Sequence, residues 1–315
     1  MPFATAFYRA LGTGMVISAD SPIDDKVRSA MESLIEDYEH VLSRFRNDSL
    51  IAAIGKAEHG GSFDFPDWCA PLFDLYDALF SFTSGTIDPC VGEDLIRLGY
   101  DASLSFTVTQ DAPEHLGALH GRAVWGRDVT RHGTTLVTHE PVQLDFGACG
   151  KGYLVDLLGR MLQSSQFVID AGGDLLIHAE QPISVALEDP EDQSHAIGIA
   201  HIANGALCAS APSRRHWNVA VNERTRIAIH HLLNAIDGLP AQQTEASWAY
   251  VPANATPDIA RDYPAAVADG LATALFVSDA TQLQRTFDFT YATLDESRQI
   301  AVSRDFPADL FLRSA

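Results

Sequence analysis

Hydrophobic residues recur at helical spacing between positions 24 and 43, where Val27, Met31, Leu34, Ile35, Tyr38 and Leu42 share one face. Asp24 and Asp25 suit the first turn of that helix, whose N-terminal end attracts negative charge. A second stripe of Trp68, Leu72, Leu75, Tyr76 and Leu79 predicts a helix over 67–83, ended by Ser84-Gly85. Further helices are expected at about 150–162 and 267–277, with a short one near 279–285. β-prone runs predict strands at 13–18, 166–170, 183–187, 197–203, 206–209, 226–232, 288–293 and 299–303. A strand pair is expected at 121–128 and 134–138 around the turn-like residues 130–134. The stretches 94–120 and 252–266 read as irregular. Strands and helices mix without the regular alternation of a doubly wound sheet. The prediction is an α+β fold of mixed, largely antiparallel sheets with flanking helices. No repeat or low-complexity linker interrupts the chain, so residues 1–315 read as a single domain.

Composition narrows the function. The chain of 315 residues is 46% hydrophobic and 20% charged, as in globular proteins, and is long enough to bury a sizeable core. Its four cysteines, Cys69, Cys90, Cys149 and Cys208, lie far apart with no CxxC pair, and read as reduced, mostly buried residues. The net charge of −21 argues against a nucleic-acid partner, which requires clustered Lys and Arg. An anionic ligand would therefore need a metal cation, a helix N-terminus or a few placed cations. Met1 to Asp20 shows no basic n-region followed by an apolar core, and no apolar run approaches twenty residues. The expectation is a cytoplasmic protein without a transmembrane segment.

Four short constellations carry candidate chemistry. Leu144-Asp145-Phe146-Gly147-Ala148-Cys149-Gly150-Lys151-Gly152-Tyr153 sets three glycines and a lysine where a helix begins. Glycines allow close backbone approach, and the first helical N–H groups and Lys151 favour an anion. No Ser or Thr follows the lysine, so it is not a Walker A loop, and a tight turn with a surface lysine is the plainer alternative. In Ala268-Asp269-Gly270-Leu271-Ala272-Thr273, Asp269 and Thr273 fall four residues apart on one helix face. They form a hard oxygen pair suited to magnesium, or else a helix-starting Asp with a buried Thr. Asp88, in Ser84-Gly85-Thr86-Ile87-Asp88-Pro89, is placed to accept hydrogen bonds from a ligand or simply to make a turn. His230-His231 ends a β-prone run; on a strand the two point to opposite faces, so at most one serves as a general base.

The order of these segments resembles the FAD:protein FMN transferases, the ApbE or flavin transferase family, over nearly the whole chain. Leu11-Gly12-Thr13 looks like the family's Met-Gly-Thr, and Ser43-Arg44-Phe45-Arg46-Asn47-Asp48-Ser49 like its Ser-x-Tyr-x-x-x-Ser. Gly85 to Gly92 is similar to Gly-x-Phe-Asp-Pro-Thr-Val-Gly, and Asp145 to Gly152 to Asp-Leu-Gly-Ala-Ile-Ala-Lys-Gly, with Asp156 at the motif's later Asp. Gly172-Gly173-Asp174 resembles the Gly-Gly-Asp turn, and Asp269 to Thr273 reproduces Asp-Ala-Leu-Ala-Thr except for Gly270.

The resemblance implies a T-fold-like architecture and magnesium held by the Ala148 carbonyl, Asp269 and Thr273. It implies FAD contacts from Leu11, Arg44, Phe45, Arg46, Asp88, Lys151 and Leu233. Lys151 would add a second cation, and His231, aligned with the His of the family's His-Ile-Ile-Asp-Pro, would serve as catalytic base. FAD would be the substrate, its FMN half passing to a Thr or Ser hydroxyl of a client flavoprotein with release of AMP. Two alternatives remain: a magnesium-dependent FAD pyrophosphatase yielding FMN and AMP, or an inactive flavin carrier. The departures are Asn234-Ala235 for the family's Asp-Pro and Ala209-Ser210-Ala211 for its Thr-Ser-Gly turn. Family members are also commonly exported and lipid-anchored, features this sequence does not display.

Overall fold

The computed structural model describes residues 1–220 and 226–311, without the side chains of Arg9, Ala220, Arg226 and Ile227. Two compact units are built from interleaved segments: Met1–Glu36, Gly147–Ser213 and Gln243–Ala315 in the first, Asp37–Phe146 and Arg214–Gln242 in the second. Elements are numbered along the whole chain.

The first unit is organised by a nine-stranded sheet. Its strands are β1 (Phe3–Ala10), β2 (Thr13–Ala19), β6 (Phe167–Asp170), β7 (Asp174–Glu188), β8 (Ala196–Ser210), β13 (Thr244–Pro252), β14 (Thr290–Asp295), β15 (Ile300–Val302) and β16 (Ala308–Leu310). The order runs β1-β2-β6-β7-β8-β13-β14-β15 with β16 also on β8, and every pairing is antiparallel. The short runs expected between 183 and 209 are parts of the two long strands β7 and β8. Their pairing is interrupted between His178 and Ile183, where exposed polar residues break the apolar pattern. Strand β13 had no expected counterpart, because small residues such as Ala246, Ser247 and Ala249 blunt its alternation. Ile177, Leu187, Ile202, Leu207, Trp248 and Leu294 form the buried apolar cluster of this sheet.

Helices α6 (Gly147–Gly159) and α8 (Pro264–Ala274) pack closely in the same unit, with the short α7 (Asp258–Asp262) and α9 (Ala280–Leu283) flanking α8. α8 starts inside the stretch expected to be a loop. Pro264 occupies its first turn, where a missing N–H is harmless, and the small residues that follow are buried.

Helix α1 (Asp25–Leu42) carries the chain into the second unit. There α2 (Leu50–Lys56), α3 (Ala70–Phe82), α4 (Gly92–Arg97) and α5 (Ala112–His115) accompany a sheet of order β3-β5-β4, formed by β3 (Gly61–Asp64), β4 (Val129–His132) and β5 (Thr135–Thr138). The strand expected at 121–128 lies instead at β4. The turn centres on Gly133, whose φ of 63° suits the reversal, and the preceding segment is held by side-chain bonds around Arg122. Two hairpins complete the unit: β9 (His216–Ala220) with β10 (Arg226–His230), and β11 (Leu233–Asn234) with β12 (Leu239–Pro240). Phe73 is a hub of its core, 5.1 Å from Phe65 and 5.5 Å from Phe146 between ring centroids.

All four cysteines are reduced and buried. No described helix is long and apolar enough to cross a membrane.

Candidate active site

In the first unit, Lys151 on α6, Asp174 at the start of β7 and Asp269 on α8 converge. The Lys151 ammonium pairs directly with Asp174 Oδ2 and stands 3.3 Å from Asp269 Oδ1. Both carboxylates are buried, Asp174 wholly so, while Lys151 is partly exposed. Burial, and after it the Asp174 charge, push the Asp269 carboxyl above the ordinary carboxylate range. Burial works against the Lys151 cation, but the two acids outweigh it and hold the amine protonated above its usual range. With both acids ionised, one cation faces two anions.

The fold brings these groups together by an unusually close helix crossing. A Cβ on Gly152 would lie 2.1 Å from the Ala265 carbonyl oxygen, so only glycine lets α6 and α8 approach this far. The Gly152 N–H donates to Asp269 Oδ2 at 3.0 Å, which fixes the carboxylate against α6 one turn beyond Ala148. Thr273 lies one turn after Asp269, its hydroxyl 3.5 Å from that of Ser210 at the end of β8. Ser210 is the retained residue of the Ala209-Ser210-Ala211 departure.

A divalent cation fits this donor set. Among the described residues no group of three or more His, Cys, Asp or Glu side chains is placed to hold a metal ion. Asp269, the Thr273 hydroxyl and the Ala148 carbonyl are hard oxygens, and magnesium needs few protein ligands because phosphates and waters supply the rest. In addition, Asp174 Oδ1 is buried with no hydrogen-bond partner, an acceptor that an ion would satisfy.

Leu11 sits at the two-residue turn between β1 and β2, with φ of 53°, followed by Gly12 at 72°. A leucine in the left-handed region costs about 1 kcal/mol or more, a strain that often marks ligand sites. The hairpin end adjoins the Gly172-Gly173 turn: a Cβ on Gly172 would come 2.9 Å from Thr13 Oγ1. The turn leads directly into Asp174, which sequence reasoning quoted within a motif without giving it a role.

The remaining candidates belong to the second unit. Arg44 is almost fully buried, paired with Asp145, donating to the Tyr100 carbonyl at 2.5 Å, and stacked 4.2 Å from the Phe45 ring centroid. Phe45 is exposed and meets Tyr100 edge-on at 5.4 Å. Arg46 donates to His40 and Asp48. Of the three, Phe45 presents its side chain to solvent most openly, whereas both arginines already hold protein partners.

The Asp88 and Leu233 side chains are both buried in the second unit. The Asp88 carboxylate is buried, accepting the Cys90 N–H at 2.7 Å and facing Arg122 and the Trp125 N–H at 3.4 Å, so it organises its own turn. Leu233 is buried in an apolar cluster with Leu95, Leu98, Leu116 and Trp217.

His231 follows β10, and its Nδ1 lies 3.2 Å from the Arg215 carbonyl oxygen. A carbonyl only accepts, so this bond selects the tautomer protonated on Nδ1 and makes Nε2 the basic atom. Tyr100 meets the imidazole edge-on at 6.4 Å. His230 is turned elsewhere, its Nε2 bonded to the Ala241 carbonyl at 3.0 Å. The Asn234-Ala235 departure builds its own turn. Asn234 Oδ1 accepts the Ile236 N–H at 3.0 Å, and the Ala235 N–H donates to the Thr86 carbonyl at 3.1 Å, a bond proline could not make.

The sequence model of the ApbE family matches residues 11–293. The FAD:protein FMN transferase of Klebsiella pneumoniae (strain 342) is 21% identical over 245 residues, covering 71% of this chain and 66% of that protein. The protein of the same name from Rhodobacter capsulatus is 26% identical over 248 residues, covering 74% of this chain and 45% of that protein. The chain thus spans just under two thirds of the first relative and under half of the second. The crystal structure of the ApbE protein from Thermotoga maritima shares its fold, with a TM-score of 0.78 and 19% identity over 98% of this chain and 99% of that one. The family match extends over both motifs that meet at Lys151 and Asp269, and on that extent the chain belongs to the ApbE family.

Proposed function

We propose that this chain is a magnesium-dependent FAD:protein FMN transferase, and that residues 1–315 act as one domain, because neither unit is a continuous stretch of sequence. The observation that carries the activity is the pairing of Lys151 with Asp174 beside Asp269, in a chain belonging to a family whose curated relatives bear that name. A protein of net charge −21 repels the pyrophosphate of FAD unless a local cation overrides the field. Lys151, held protonated by its two acids, is such a cation.

Asp269, the Thr273 hydroxyl and the Ala148 carbonyl would hold the magnesium ion. When bound, the ion supplies charge withdrawal from the pyrophosphate and stabilisation of the departing oxygen. His231 takes the proton of the acceptor Thr or Ser hydroxyl on Nε2. The acceptor oxygen forms a bond to the phosphorus on the riboflavin side, and the bond from that phosphorus to the bridging oxygen breaks. AMP leaves with the bridging oxygen and its electron pair. Leu11, Arg44, Phe45, Arg46, Asp88 and Leu233 complete the proposed FAD contacts. The client is a flavoprotein presenting an exposed Thr or Ser.

Intact mass of a candidate client, after incubation with this protein, FAD and magnesium, tests the reading. A client heavier by one FMN supports it. FMN and AMP appearing equally well without any client would make the chain a pyrophosphatase, and FAD that stays bound and intact would make it a carrier.

A further inference from the structure

Asp174 is the one member of the charged cluster whose chemistry remains incomplete. Its carboxylate is wholly buried; Oδ2 is occupied by Lys151, and Oδ1 has no hydrogen-bond partner. Leaving a buried carboxylate oxygen unpaired costs on the order of 1–3 kcal/mol, more when it carries charge, so a retained orphan calls for a ligand. Its neighbours narrow the class of that ligand. Asp269 is close enough to share the Lys151 ammonium, the Thr273 and Ser210 hydroxyls lie 3.5 Å apart at the end of β8, and Cys208 pairs with Asp174 across β7 and β8. A neutral donor would satisfy Oδ1 but leave two carboxylates against one ammonium. A cation satisfies the oxygen and offsets the excess negative charge.

The geometry points to Asp174 as a further residue of the cation site, with Oδ1 directed to a hard divalent ion and Oδ2 holding Lys151 beside it. This inference rests on the magnesium reading above and adds a residue to it. Asp174 would then have two tasks: to contribute charge to the ion, and to keep the lysine from closing on Asp269 in the ion's place. The Gly172-Gly173 turn, with φ values of 72° and 111°, delivers the carboxylate at the first residue of β7.

Calorimetric titration of the full chain with magnesium chloride, without FAD, reads the site independently of catalysis. Asp174→Asn alone lets Lys151 close further on Asp269, with which it already pairs at 3.3 Å, so the decisive comparison is made in a Lys151→Gln background. Lys151→Gln is expected to bind magnesium at least as tightly as the natural chain, and adding Asp174→Asn should weaken binding by roughly 10–100-fold. Circular dichroism in EDTA identifies variants that have lost their fold; if the asparagine variant has, Asp174→Ser in the same background takes its place. Equal affinity with and without the Asp174 carboxylate would overturn the inference and leave Asp174 as the counter-ion of Lys151 alone. Absence of saturable magnesium binding in the natural chain, both without FAD and with FAD present, would defeat the magnesium reading itself, a result distinguishable because it needs no variant.

Discussion

The Asp156 carboxylate on α6 accepts the backbone N–H groups of Ala265 and Ala266, at 3.1 and 2.8 Å, in the first turn of α8. It caps the end of one helix from the side of another. Because Lys151 lies five residues before Asp156 and Asp269 four after Ala265, this cap sets the two candidate active-site helices in register.

Asp156→Ala should therefore lower unfolding free energy by about 1–3 kcal/mol, the range for a lost cap plus two buried unsatisfied donors. Urea denaturation followed by circular dichroism reads the loss directly. Asp156→Asn, which retains one acceptor oxygen, should lose less.

Gly152→Ala probes the helix crossing. The added methyl would meet the Ala265 carbonyl 2.1 Å away, backbone against backbone, so the helices must separate. We expect a destabilisation of about 1–3 kcal/mol, with AMP formation from FAD falling further than the folded fraction does. A thermal melt beside an activity assay separates the two effects.

A buried ion pair in the second unit gives a pH signature. Arg122 Nε lies 2.8 Å from Asp94 Oδ2, and Arg122 also donates to the Ala235 carbonyl at 2.6 Å. Burial lifts the Asp94 carboxyl from 3.8 to about 6, with Arg122 opposing the shift. The folded state therefore binds this proton more tightly than the unfolded state. The stability it contributes is full below the unfolded value and is lost as pH rises through about 6. Measured against Asp94→Asn, the natural chain should lose relative stability between about pH 4 and pH 6 and run parallel above that. Parallel curves across the whole range would show that Asp94 titrates normally.

His231→Ala should slow transfer by roughly 10²–10⁴-fold, the usual contribution of a general base, with FAD affinity nearly unchanged. Stopped-flow AMP formation and flavin fluorescence quenching measure the two quantities separately.

How much of this was legible in the sequence depended on how local the signal was. The stripe from Val27 to Leu42 gave α1 almost to the residue, because one amphipathic face encodes a surface helix. The α+β class and the Lys151 and Asp269 motifs were equally readable. β7 and β8 appeared as fragments because a sheet tolerates polar residues where pairing is interrupted, as at His178 to Ile183. The start of α8 was hidden because its cap, Asp156, lies on another helix. Nothing in the sequence singles out Arg122: a lone arginine in a stretch read as a strand gives no hint that it will be buried against Asp88 and Asp94. Asp174 was visible only as the end of a Gly-Gly-Asp turn, since its pairing with Lys151 is a tertiary fact.

The central claim is cation-dependent cleavage of the FAD pyrophosphate at the Lys151, Asp174 and Asp269 cluster. Its most direct test is AMP release from FAD by the natural chain and by Asp269→Ala, each with magnesium or with EDTA, in the presence of a candidate client protein bearing an exposed Thr or Ser. The account predicts AMP only from the natural chain and only with magnesium, together with an equal amount of FMN on the client. AMP release that persists in EDTA, or in Asp269→Ala at saturating magnesium, would contradict it.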